Sequence, residues 1–389
     1  MINSAPSFQF YSFCGALLLY TMFSSPTPDT LGLPEIIIGL LLAAFVRIQV
    51  TNQDNKLPFL GLMYGLTLPI IFSIISGFPL LDIIRDIIPF LFLFTVLFYG
   101  WGGQSHPIYF IKIVVITGII FSFRTCLSYH EVLLTPSLWG YGPPADLLYL
   151  ANSPEVLFSA LCCIGYGLKL LMQDNQKLKA IALLGLSAPP LMAMILMSQR
   201  AGIGSVILFV TIFLSYTLYT RPKWGLIFII TMALLMIILW PILGQAIEGL
   251  WIKTELVGLN SRIEEWATVL KIISKDSITL LFGEGWGARI ENPAVGGINV
   301  TYTHSFISSL LLKTGAIGTI IILLACLKPV SNALKSVYFD VKGTDFILLG
   351  AISFPFLISV FLYASYKSLG FGLILLIFSV LATRKLEKN

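Results

Sequence analysis

The chain has 389 residues, of which 57% are hydrophobic and only 11% charged, with a net charge of +5. A soluble domain carries about 25% charged residues, so this composition excludes an ordinary soluble globular protein. The basic residues are scattered in short segments between apolar runs, which also excludes a nucleic-acid-binding surface.

A chain this apolar takes lipid as its main solvent. In lipid every backbone polar group needs an internal partner, so only helices or a closed barrel remain. The apolar runs are continuous and about 20 residues long, the length of a membrane-crossing helix, and lack the alternation of barrel strands. The expected fold is an all-α polytopic membrane protein with about 12 spans. In chain order they fall near 8–23, 32–48, 57–76, 82–101, 107–124, 154–172, 178–197, 202–220, 224–242, 304–326, 345–364 and 368–384. The first lacks a basic leader and a small-residue cleavage site and reads as a retained helix. The fourth starts on three charged residues, Asp82, Arg85 and Asp86. Pro189 and Pro190 are expected to kink the seventh. The whole chain, 1–389, reads as a single integral membrane domain.

Short loops set the orientation. Arg47 and Lys56, Lys177 and Lys179, Arg221 and Lys223, Lys328, Lys335 and Lys342, and Arg384, Lys385 and Lys388 all share one side of a twelve-span arrangement. The opposite short loops, 24–31 and 77–81, hold no Lys or Arg. The positive-inside rule then puts both termini in the cytoplasm. Two long loops face outward. The first, 125–153, contains His130, Glu131, Trp139 and the turn Gly140-Tyr141-Gly142-Pro143-Pro144. The second, 243–303, lies between the ninth and tenth spans and contains an amphipathic helix over 261–273. Its apolar stripe is Ile263, Trp266, Ala267, Leu270 and Ile273, and it suits a membrane surface or the bundle.

Several residues could carry chemistry. Arg200, in Ser198-Gln199-Arg200-Ala201-Gly202, sits in a short outer turn, facing either a polar cavity or the headgroups. Arg262 and Trp266 are four apart and share one helix face, suiting either a phosphate with a sugar ring or a solvated charge with an interfacial Trp. His304, in Thr301-Tyr302-Thr303-His304-Ser305, is one of three histidines and can take a proton near neutral pH, or simply cap a helix. Gly283-Glu284-Gly285-Trp286-Gly287 is a tight turn, since no Gly-Lys-Ser/Thr follows and no βαβ unit surrounds it. Gly315 and Gly318 suit close helix packing. The five cysteines have no metal-ligand spacing, and no His-Glu-x-x-His occurs, so neither metal nor other cofactor is expected.

The order of these pieces is an Arg turn between two spans, an Arg-x-x-x-Trp helix, a Gly-x-Gly-x-Gly turn, then His and Gly-x-x-Gly entering a span. It resembles the bacterial O-antigen polymerase and O-antigen ligase superfamily, over Ser198–Gly202, Arg262–Gly287 and His304–Gly318. Ser305 stands where that family often has Asn, and Lys313 lies near a position where an acid is common. The resemblance implies an inverting glycosyltransferase at the outer (periplasmic) face of the inner membrane. Its donor would be a glycan on undecaprenyl pyrophosphate, and its acceptor a sugar hydroxyl on another repeat unit or on lipid A core. It implies His304 as general base, with Arg200 and Arg262 stabilising the leaving pyrophosphate. Arg124, Arg85, Trp266 and Tyr302 would bind pyrophosphate or glycan. A chain-length regulator protein would be a further partner. A twelve-helix transporter is the alternative from another class.

Overall fold

A computed structural model describes residues 8–24, 33–44, 46–48, 53–133, 135, 145–257, 261–338 and 343–383. Trp139, the turn 140–144 and the basic residues Lys342, Arg384, Lys385 and Lys388 lie outside the described residues.

Helices occupy every apolar run. The first are α1 (Phe8–Phe23) and α2 (Leu33–Ala44). The run at 57–76 folds as α3 (Gln53–Gly65) and α4 (Leu68–Ile75). Pro69 in the first turn of α4 has no N–H to continue the ladder, and the Thr67 hydroxyl donates instead to the Met63 carbonyl at 2.8 Å. The run at 82–101 likewise divides into α5 (Leu80–Phe92) and α6 (Thr95–Ser105). Next come α7 (Pro107–Ser128), the short α8 (His130–Leu133) and α9 (Ala145–Ala151), and α10 (Pro154–Leu171). The proline pair breaks the following run at Ser187 into α11 (Lys177–Leu186) and α12 (Ala188–Leu196). Then follow α13 (Arg200–Thr220) and α14 (Pro222–Val257).

The long α14 runs on through 243–257, so the second loop, expected to be partly helical, is helical from its start. Hydropathy marks where lipid ends, and backbone hydrogen bonding need not stop there. The rest of that segment holds α15 (Arg262–Ile273), α16 (Ser277–Phe282) and an antiparallel hairpin of β1 (Ile290–Asn292) and β2 (Ile298–Val300), with Ile290 opposite Val300. The chain closes with α17 (Phe306–Tyr338), α18 (Gly343–Phe361) and α19 (Leu369–Thr383).

Among the described residues, six helical stretches are long and apolar enough to cross a membrane: Asn55–Ile75, Pro107–Ser128, Pro154–Leu171, Lys177–Leu196, Arg200–Thr220 and Phe306–Val337. The 21 residues of α13 extend about 32 Å, against a hydrocarbon core of about 30 Å. Five shorter apolar helices accompany them. Among the described residues, the protein is a helical, membrane-embedded protein with one small hairpin.

By packing, the chain divides into two compact units. The first comprises 1–113, 259–341 and 356–389, and the second 114–258 and 342–355. At the centre of the first is α19, whose residues from Leu369 to Leu381 are all buried. A helix apolar all round belongs in a core, and α19 packs on α17 and α6. Its Gly372 lets the Phe92 carbonyl approach to where a Cβ would lie 2.1 Å away. In the second unit α10 is the most buried helix and packs on α11, α12 and α13. There Gly118 lies against the Glu155 carbonyl, and Gly165 against Ile347 and Phe209.

Candidate functional site

The site belongs to the first unit, and its frame is made by glycines. Gly283, Gly285 and Gly287 all have positive φ (79°, 99° and 85°), which is costly for any side chain bearing a Cβ. Gly315, inside α17, has φ 64° and ψ −172°, so the helix is broken there. The two features fit each other. The Glu284 N–H donates to the Leu312 carbonyl at 2.9 Å and the Gly285 N–H to the Lys313 carbonyl at 3.1 Å. The turn thus takes carbonyls at the break in α17. Trp286 is buried between the neighbouring glycines, stacks near Phe90 and donates its indole N–H to the Gly65 carbonyl at 2.8 Å. Gly318 faces Tyr64, whose hydroxyl donates to the Thr314 carbonyl at 3.1 Å.

Just before α17, His304 is held by one carboxylate at two points. Its Nδ1 lies 2.7 Å from Glu265 Oε2, and its backbone N–H donates to Glu265 Oε1 at 2.8 Å. The carboxylate is 1% exposed and the imidazole 21%. Burial alone would raise the Glu265 carboxyl, but the His304 bonds and charge outweigh it and hold it below the usual glutamate range. A carboxylate against Nδ1 places the ring proton there and leaves Nε2 as the basic nitrogen, as in a His–acid pair. The Tyr302 ring meets the His304 ring edge-on at 5.9 Å. The turn itself is fixed by Thr303, whose hydroxyl donates to the Ser305 carbonyl at 2.9 Å, and by Tyr366, whose hydroxyl donates to the Thr303 carbonyl at 3.0 Å.

The face of α15 that packs on the protein includes Glu265 and only part of the apolar stripe. The buried positions are Glu265, Val269 and Ile273, while Ile263 is 68% exposed and Leu270 50%. Two interactions set this rotation: Glu265 on His304, and Val269 in a cluster with Ala288, Ile290 and Leu312. Periodicity counts apolar residues and cannot credit a buried ion pair.

A second charged group adjoins. Asp82 and Asp86, one turn apart on α5, are both buried. Arg289 donates to Asp82 through Nε at 2.9 Å and Nη2 at 2.6 Å. Asp86 accepts from the Gly287 N–H at 2.8 Å, pairs with Lys313, and has Lys367 Nζ 3.3 Å from its other oxygen. Lys367 also lies over the Tyr302 ring, 5.6 Å from its centre, which links this group to the His304 turn.

The sequence candidates divide. His304 and Tyr302 meet in the first unit, and Arg262 and Trp266 belong to that unit too, on α15 with Glu265. Arg262 donates to the Leu362 carbonyl and lies 5.8 Å from the Tyr363 ring centre, so part of its role is to tie α15 to the end of α18. Arg85 is exposed on α5, one turn after Asp82. Arg200 and Arg124 belong to the second unit. Arg200 is the first residue of α13, after a turn in which Ser198 has φ 46°. Arg124 lies in α7, 5.9 Å from the Phe121 ring centre.

Sequence reasoning missed Glu265, Arg289, Lys313 and Lys367 as site residues. Two signals were available. Lys313 is an ionisable residue inside an apolar run, which by default marks a site. Asp82 and Asp86, at i and i+4, share one helix face. No group of three or more His, Cys, Asp or Glu that could hold a metal ion occurs among the described residues.

Fold and site together define a helical membrane protein with a partly buried imidazole backed by a buried acid, with tyrosine and lysine nearby. In comparisons with known proteins, no family model and no curated sequence matches the chain.

Proposed function

We propose that this protein is a polymerase of O-antigen repeat units, an inverting, metal-independent glycosyltransferase of the bacterial inner membrane. In this reading twelve spans place both termini in the cytoplasm and His304 at the periplasmic face. The observation that carries it is the imidazole held at Nδ1 and at its backbone N–H by one buried carboxylate. That arrangement leaves Nε2 to take a proton from an acceptor sugar hydroxyl, a role worth about 100- to 10,000-fold. The acceptor oxygen bonds to the anomeric carbon of the donor. The bond from that carbon to the pyrophosphate oxygen breaks, and its electron pair leaves with undecaprenyl pyrophosphate. Attack opposite the leaving group inverts the anomeric centre. Cationic groups stabilise the growing negative charge, and in the first unit Arg262 and Arg85 are assigned to pyrophosphate or glycan, with Trp266 and Tyr302 as sugar platforms.

The test is a gel of surface lipopolysaccharide from cells carrying His304→Ala or Glu265→Gln, with membrane expression checked. Both variants are expected to lose long glycan chains. Unchanged chain length in both removes the reading. A deletion strain separates polymerase from ligase: core bearing a single repeat indicates the polymerase, and bare core with lipid-linked glycan the ligase.

A transporter is the second reading, favoured by the break in α17 at Gly315 beside the buried Lys313–Asp86 pair. Discontinuous helices and buried ionisable residues mark transport sites. It predicts normal glycan chains when His304 is replaced.

A further inference from the structure

Two ammonium groups meet the single carboxylate of Asp86. Asp82 is taken up by two bonds from Arg289. Lys313 is 2% exposed and divides its ammonium between Asp86 and the Thr301 carbonyl at 2.5 Å. Asp86 also receives the Gly287 N–H. Lys367 is therefore a second ammonium on a carboxylate that is already neutralised, and its contact is the looser one at 3.3 Å. An ammonium has three donors. Lys367 spends one on Asp86 and turns toward the Tyr302 ring, with no second hydrogen-bond acceptor among the described residues. Its side chain is 15% exposed, so it is largely but not wholly withdrawn from solvent. The short helical turn Ala364–Lys367 is fastened to the His304 turn by the Tyr366 hydroxyl on the Thr303 carbonyl.

We infer that Lys367 is an anion-binding residue that takes a phosphate oxygen of a pyrophosphate-bearing substrate beside His304. This rests on the glycosyltransferase reading for the identity of the anion, and on the second, looser ammonium at Asp86 for its place. A partly buried cation without a full counter-charge is costly, and a phosphate supplies both the charge and the acceptors that its ammonium lacks. Removing Lys367 leaves Asp86 paired with Lys313, so the variant retains the paired interior.

The experiment uses the full chain in lipid nanodiscs, titrated calorimetrically with farnesyl pyrophosphate and, separately, with inorganic pyrophosphate. Lys367→Gln is expected to weaken binding roughly ten- to a hundred-fold, Lys367→Arg to keep it within a few-fold, and added salt to weaken the wild type more than Lys367→Gln. Binding of both probes with this dependence means that the site reads the diphosphate alone. Binding of the prenyl compound only means that the lipid tail contributes, and either result supports the inference. Wild-type affinity in Lys367→Gln overturns it, whether or not the melting temperature falls, and so does failure of the wild type to bind either probe. Lysine-dependent binding together with normal glycan chains in His304→Ala cells would sink the glycosyltransferase reading and leave the anion site standing.

Discussion

The two units treat buried acids differently. In the first, Asp82, Asp86 and Glu265 each face a basic side chain brought from a distant segment: Arg289, Lys313 with Lys367, and His304. In the second, Glu155 is fully buried in α10 and its partner is the neighbouring Ser153 hydroxyl, while its Oε1 has no hydrogen bond among the described residues. A buried charge is costly, and a close opposite charge offsets that cost only when geometry is good. The first unit meets that condition three times around one turn. This is why the candidate chemistry is placed there, and why the same residue type in α10 is given no role.

The largest expected effect tests that pairing directly. Lys313→Met leaves Asp86 buried with only the looser Lys367 and should cost about 3–5 kcal/mol, read as thermal unfolding in detergent. Adding Asp86→Asn should recover most of the loss. A single variant as stable as the wild type would break the comparison.

Gly315→Ala and Gly283→Ala come next. Positive φ costs about 1–3 kcal/mol, and at either position a Cβ would also lie 2.4–2.5 Å from backbone atoms across the break. The counterpart in the second unit is Gly204 on α13, which has open space around it, so Gly204→Ala should be neutral or stabilise by up to about 1 kcal/mol.

Glu265→Gln should lower stability by about 1–3 kcal/mol near neutral pH. The carboxyl is held below its ordinary value in the folded chain. Its contribution is therefore complete above the ordinary glutamate range, near 4.3, and is lost as pH falls through the lowered folded value. Acid melting curves of wild type and variant should converge below pH 4. Parallel curves would show that the pair carries no such linkage.

The smallest effect is expected in the second unit. Glu155→Gln keeps the Ser153 hydroxyl as a donor and removes no ion pair, so its unfolding should stay within about 1 kcal/mol of wild type. A loss as large as that for Lys313 would show a hidden cationic partner and erase the contrast between the units.

Much of the helical layout was legible in the sequence because hydropathy and helix breakers are local. Residues 8–23 are helical from end to end, and Pro69 and the Pro189-Pro190 pair mark real interruptions. His304 and Arg262 could be singled out from residue type and spacing. Their partners could not, since Glu265 lies 39 residues from His304, Asp82 lies 207 from Arg289, and Asp86 lies 281 from Lys367. The sequence by itself determined a helical membrane protein and the approximate ends of its helices, because lipid rewards apolar length wherever it occurs. Tertiary structure alone decided which face of α15 is buried, where α17 breaks and which cation meets which carboxylate. Those outcomes depend on close opposite charges and on backbone contacts at Gly283 and Gly315, and such terms exist only once distant segments have met.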